Sequence, residues 1–219
     1  MTDTGATTTS SDSAISGQND VVVPGPAPLS GRTLGLLLVV LGAVGFAGSM
    51  WLAIEKYLAF VEPDRTASCT INLFVTCSAA MDSWQGALLG FPNPYLGLAA
   101  FPVVITTGVV VLVGARLPRW YWVSLLVGTL VGQALVFFLM ATSFYVIVAL
   151  CPACMIVWTI MWPLLWFQLV RGVQSGDFAV GAGLRDAIVG NRGIILIIGY
   201  VAAVAWLMLA VGGPLVDSF

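Results

Sequence analysis

The sequence predicts an all-α integral membrane protein, a bundle of four transmembrane helices with a fifth transmembrane helix at its periphery. Three observations carry this. Of the 219 residues, 59% are hydrophobic and only 8% are charged, where an ordinary soluble domain carries roughly 25% charge. Five apolar runs, at about 34–58, 95–115, 120–141, 150–170 and 194–213, reach the ~20 residues needed to cross a hydrocarbon core about 30 Å thick. The runs are continuous rather than alternating in segments of about ten, so they are helices and not barrel strands, the only other structure that satisfies its backbone in lipid.

Residues 1–31 are rich in Ser, Thr, Gly and Asp, carry Pro24, Pro26 and Pro28, and have no aromatic residue. They cannot bury enough apolar surface to offset their ordering entropy and are expected to form a disordered cytoplasmic tail. The first run lacks a basic leader and exceeds a signal-peptide core of 7–15 residues, so it is expected to stay as a span. The next four runs organise a domain at 32–172, with an external loop at 61–94. The stretch 120–170 has no charge; it is too long for one crossing and implies two joined by a turn near 142–146. A cytoplasmic loop at 173–193 leads to the fifth helix and a short external tail at 194–219.

Orientation follows the basic residues, which cytoplasmic loops retain. Arg32, Arg116, Arg119, Arg171, Arg185 and Arg192 fall on one side; Lys56 and Arg65 fall on the other, near Glu55, Glu62 and Asp64. The N-terminus is therefore expected in the cytoplasm and the loop at 61–94 outside. Tyr57, Tyr95, Trp120, Tyr121 and Trp122 fit an interfacial belt. Gly128 and Gly132 form a G-x-x-x-G in the third run, read as close helix packing.

Composition also excludes functions. A formal charge of −2 is too little basic charge for a nucleic-acid binder working by phosphate neutralisation. The absence of His removes imidazole metal ligands, His acid–base chemistry and haem attachment through C-x-x-C-H.

What remains is the cysteines. Cys69 and Cys77 lie in the external loop; Cys151 and Cys154 form C-P-A-C at the start of the fourth run. On the expected topology both pairs face the oxidising compartment. Pro152 at the first helical position makes Cys151 the N-cap, where free backbone N–H groups converge and a thiolate is favoured. Cysteines three apart share a helix face, so a Cys151–Cys154 disulfide is geometrically reasonable. A Cys69–Cys77 disulfide would close a ring of about nine residues, worth roughly 2.5 kcal/mol. Small polar neighbours (Thr66, Ser68, Thr70, Asn72, Thr76, Ser78) suggest a mobile, accessible loop. Two inert structural disulfides, or a Zn²⁺ site of unusual spacing, are the alternatives; two pairs on one face, one of them at a helix start, favour dithiol–disulfide exchange. Five spans add access to a two-electron acceptor that lives in lipid, a quinone, with Cys154 one turn into the membrane.

In these residues the chain resembles the vitamin K epoxide reductase family, in particular bacterial homologues that reoxidise a periplasmic disulfide-forming protein. The resemblance covers about 34–170. It rests on C-x₇-C at Cys69 and Cys77, Ser78 directly after and Ser83 six residues later, Asn93 in F-P-N-P-Y-L-G, and C-P-A-C. It implies that Cys69 and Cys77 form a shuttle pair taking electrons from a partner's dithiol, and that Cys77 exchanges with Cys151. It further implies that Cys151 and Cys154 form the active-site pair with Cys154 beside a quinone of menaquinone, ubiquinone or vitamin K type. Asn93 would donate a hydrogen bond to a quinone carbonyl, and Ser83 would sit on a segment capping the bundle. Trp158 stands where animal members carry Tyr, which puts epoxide reduction in question. The implied partner is a separate thioredoxin-fold periplasmic protein of the disulfide-forming kind, at a bacterial cytoplasmic membrane. The disulfide-bond protein B family shows the reverse order of cysteine pairs; a scaffold or transporter with structural disulfides is the remaining competitor, and no span carries the mid-depth charge that transport predicts.

Overall fold

The computed structural model describes residues 28–216 apart from 65, 72–74 and 148, with 210–216 described by backbone alone. The expected disordered tail lies, up to residue 27, outside the described residues, as do 217–219. The helices are α1 (Gly31–Val61), α2 (Ser78–Asp82), α3 (Pro94–Leu112), α4 (Arg119–Thr142), α5 (Pro152–Gln174), α6 (Ala182–Gly190) and α7 (Arg192–Val216). Each predicted span is a helix, and five are long and apolar enough to cross a membrane. The turn between the third and fourth spans is π-helical, Ser143–Ile147. Two short pieces were not foreseen in the loop at 61–94, namely α2 and a 3₁₀ turn at Trp84–Ala87, nor was α6 in the loop at 173–193.

Local chemistry sets the helix starts. Ser30 caps α1 by accepting the Thr33 N–H at 3.1 Å, filling one donor that the first turn cannot pair internally. Pro94 and Pro152 open α3 and α5, where their missing N–H is no loss.

The tightest packing is between α1 and α3. A Cβ on Gly108 would lie 2.8 Å from Gly35 O and 2.8 Å from Val39 N, so the two backbones are in direct contact. This corrects the expectation for Gly128 and Gly132. A Cβ on Gly128 would meet nothing within 4 Å, and on Gly132 only the Met161 terminal methyl at 3.0 Å. The reason is the arrangement: α3 pairs with α1 and α4 with α5, with hardly any contact between α3 and α4. The core is then built from Leu34, Leu38, Phe101, Val104, Val136, Met140, Ile160, Met161 and Leu164.

Within the α4–α5 pair, buried Gln168 donates through Nε2 to Thr129 Oγ1 at 3.0 Å, so this polar pair is not left open to hydrocarbon. Trp122 departs from the belt. It is buried with the Arg171 guanidinium 3.9 Å over its ring, while Arg171 also pairs with Asp177; a cation over an aromatic face explains why this tryptophan turns inward. Trp120, Tyr57 and Tyr95 are exposed. Helix α7 lies peripherally on α5, through Trp166 Nε1 to Arg192 O at 2.8 Å and Tyr200 OH to Thr159 O at 2.5 Å.

The two glycine environments give opposite expectations. Gly108→Ala forces a methyl against backbone that cannot rotate away and should destabilise by about 1–3 kcal/mol. Gly128→Ala, in open space, should be neutral to mildly stabilising, by up to about 1 kcal/mol. Thermal unfolding of the two purified variants in one detergent checks the order; equal melting temperatures would refute the α1–α3 contact.

Candidate functional site

The site forms where the loop at 61–94 folds back on the start of α5. An isolated parallel bridge pairs Val75 with Leu150, with Thr76 N–H donating to Leu150 O at 3.0 Å. Cys77 follows one partner by two residues and Cys151 follows the other by one, so the bridge brings the sulfurs together: Cys77 Sγ and Cys151 Sγ lie 3.1 Å apart. Cys69 and Cys77 are joined as a disulfide, and Cys151 and Cys154 are thiols. Leu52, Ala67 and Ala153 close around the sulfurs.

Cys151 is the N-cap of α5, and its sulfur accepts the Cys154 N–H at 3.4 Å. Its thiol is held below the ordinary thiol value. The largest cause is the hydrogen bond from the Cys154 side chain, helped by the backbone N–H groups of Cys154 and Ala153 and opposed by burial. That is the combination that makes a thiolate available as nucleophile and leaving group.

The loop's sulfurs are not accessible here, although Thr66, Ser68 and Ile71 beside them are exposed. Cys69 is 3% exposed, Cys77 0% and Cys151 1%. Of the small polar residues read as signs of mobility, Asn72 lies outside the described residues, and others act as ties: Thr70 and Thr76 share a hydroxyl hydrogen bond of 3.0 Å, and the Ser68 N–H donates to Glu55 Oε2 at 3.1 Å.

Cys154, only half-buried, opens on a cavity of about 560 Å³ lined by α1, α3, α4 and α5 and capped by α2 and the 3₁₀ turn. This is within the roughly 300–1,000 Å³ of small-molecule sites. Its walls are mostly apolar, among them Phe101, Val104, Leu125, Val136 and Met161, and it occupies the gap between α3 and α4. Cys154, Ser83, Gln85, Asn93 and Trp158 all line it.

These residues differ in what they have left to offer. Asn93 donates through Nδ2 to Gln85 O at 2.6 Å and accepts Leu88 N–H at 3.2 Å, which fixes the amide while leaving its second N–H for another acceptor. Ser83 caps the 3₁₀ turn, accepting Gly86 N–H at 3.3 Å, and gives its single proton to Ala80 O at 2.8 Å. Trp158 stacks edge-on against Phe144, with centroids 6.0 Å apart. Gln85 and Glu55 were not singled out from sequence. For Glu55 the signal was present, a carboxylate beside Lys56 at the end of an apolar span, but nothing in the pattern showed that it turns inward. Among the described residues no three of His, Cys, Asp and Glu cluster as a metal site would require.

An apolar membrane cavity ending on a thiol, with a second cysteine pair in sulfur contact, defines a membrane thiol–disulfide protein. Residues 36–169 match the model of the Vitamin K epoxide reductase family, and the chain belongs to that family. It is accordingly a membrane thiol–disulfide oxidoreductase linked to quinone. No individual curated protein matches the chain.

The depressed Cys151 thiol has a pH consequence. Thiolate is populated at lower pH than in an ordinary thiol, so the thiolate ultraviolet absorbance that Cys151→Ala removes should titrate with a midpoint below the ordinary thiol value. Cys154→Ala removes the largest cause and should move that midpoint upward. An unchanged midpoint would show that Cys154 does not set it.

Proposed function

We propose that this protein reoxidises a thioredoxin-fold, disulfide-forming partner on the external face of a bacterial cytoplasmic membrane and passes the electrons to a membrane quinone. The observation that carries the reading is the 3.1 Å approach of Cys77 to Cys151. Disulfide exchange proceeds by in-contact attack of one sulfur on another, and an inert pair of staples has no need of it.

In the proposed sequence the partner's dithiol reduces Cys69–Cys77. The Cys77 thiolate attacks Cys151 of a Cys151–Cys154 disulfide, forming a Cys77–Cys151 bond and releasing Cys154 as thiolate. The Cys69 thiolate then attacks Cys77 and releases Cys151. Two electrons have moved, leaving the loop pair oxidised and the second pair reduced, the same redox arrangement found here. A bound quinone supplies the two-electron acceptor that returns Cys151 and Cys154 to the disulfide. The cavity suits such a group: it is apolar, Cys154 opens on it, and the spare Asn93 N–H is a donor for a carbonyl. Because Cys151 is sealed and Cys154 is not, a small thiol is expected to enter the cycle through Cys154.

The test is quinone reduction, followed by absorbance, in detergent with a menaquinone analogue and dithiothreitol. Cys151→Ala and Cys154→Ala should fall to the thiol-only background, whereas Cys69→Ala should retain turnover. Absence of reduction above background across several quinones would overturn the reading. Asn93→Ala should raise KM for quinone by roughly tenfold, as expected for loss of one hydrogen bond worth about 1.4 kcal/mol; an unchanged KM would remove Asn93 from the quinone contact.

A further inference from the structure

At the loop end of α1 stands a buried carboxylate that the relay does not use. Glu55 is 4% exposed near the end of α1, whose other buried residues are apolar or small, Ser49 being the one further polar side chain among them. A carboxylate in such a place is costly unless donors fill it. Ser68 supplies two, its backbone N–H to Oε2 at 3.1 Å and its hydroxyl to Oε1. Trp51 Nε1 then donates to the Ser68 hydroxyl oxygen at 3.3 Å. Hydrogen bonds to a carboxylate are the stronger kind and hold geometry tightly. Ser68 directly precedes Cys69, and its other neighbour, Ala67, packs into the cluster around the sulfurs.

The next residue on α1 acts on the opposite flank. Lys56 Nζ donates to Met81 O at 2.8 Å and to Asp82 Oδ1 at 3.2 Å, holding α2, the helix that Cys77 caps. Two consecutive α1 residues therefore tie down the chain before Cys69 and the chain after Cys77, while the Val75–Leu150 bridge ties the middle to Cys151.

We propose that Glu55 is a positioning residue for exchange between the two cysteine pairs: through Ser68 it fixes the Cys69 flank, and with it the register that keeps Cys77 against Cys151. This rests on the exchange reading given above. Glu55 acts on the approach of the two sulfurs and leaves the chemistry within C-P-A-C untouched.

The experiment measures sulfur approach directly, without partner or quinone. In a Cys69→Ala/Cys154→Ala chain only Cys77 and Cys151 remain. Diamide removes two protons and two electrons as their disulfide forms, and the rate is read by mass mapping. Glu55→Gln should slow this by roughly tenfold to a hundredfold, the order produced by a misplacement of about 1 Å. Ser68→Ala should slow it in the same direction, and the double variant should be no slower than Glu55→Gln, since both break one contact. The control is Cys151–Cys154 closure in a Cys69→Ala/Cys77→Ala chain, which Glu55→Gln should leave within about twofold, as expected for a step the tie does not touch. An unchanged Cys77–Cys151 rate, or equal slowing of both disulfides, would overturn the proposal. If Glu55→Gln does not fold, Ser68→Ala decides by the same comparison. Failure of Cys77 and Cys151 to join even with Glu55 present would instead overturn the exchange reading, and the proposal with it.

Discussion

Electron transfer by disulfide exchange demands that two sulfurs touch, and here the two belong to residues 74 positions apart, Cys77 and Cys151. The fold meets that demand with few interactions. One parallel bridge, Val75 to Leu150, sets the register in which Cys77 lies over the cap of α5. A helix cap is a fixed point in space, since its φ and ψ and its hydrogen bond to the first turn are set by the helix behind it. Anchoring the loop to that point converts a flexible connection into a defined sulfur–sulfur approach.

The same geometry separates the chemistry into two sides. Cys151 faces the loop disulfide and is sealed by Leu52, Ala67 and Ala153, whereas Cys154, three residues on, faces the membrane cavity. Side chains three apart on a helix lie one turn apart on the same face, so a single C-x-x-C spans from the cysteine loop to the apolar interior. The cavity exists because α1 and α3 pack backbone to backbone through Gly35 and Gly108 while α4 pairs with α5. Close packing on one side of the bundle leaves space on the other, and Gly128 lines that space without a side chain to fill it.

Burial of three of the four sulfurs has a thermodynamic side as well. The Cys69–Cys77 bond and the Cys151 thiol sit among apolar neighbours, with backbone N–H groups aimed at the Cys151 sulfur. A reactive thiolate kept from water exchanges with the sulfur in contact with it in preference to solutes. The polar loop residues then serve to hold this arrangement shut, Thr70 to Thr76 and Ser68 to Glu55.

The sequence by itself determined the number, length and order of the membrane helices, because an uninterrupted apolar run in lipid has one solution, and the chain's few charges mark where each run stops. It also marked the cysteines as the reactive set, since no His and almost no buried charge competed for that role, and it placed Cys151 at a cap through Pro152. Tertiary structure decided what lies opposite what. Nothing in the local pattern distinguishes Gly108, pressed on a backbone, from Gly128, facing a cavity, or a belt tryptophan from Trp122 turned under Arg171. Nor does it show that a loop of small polar residues is closed over its sulfurs. Those outcomes depend on which helix faces which, a property of pairs of segments distant in the chain, and hydropathy along a single segment carries no information about its partner.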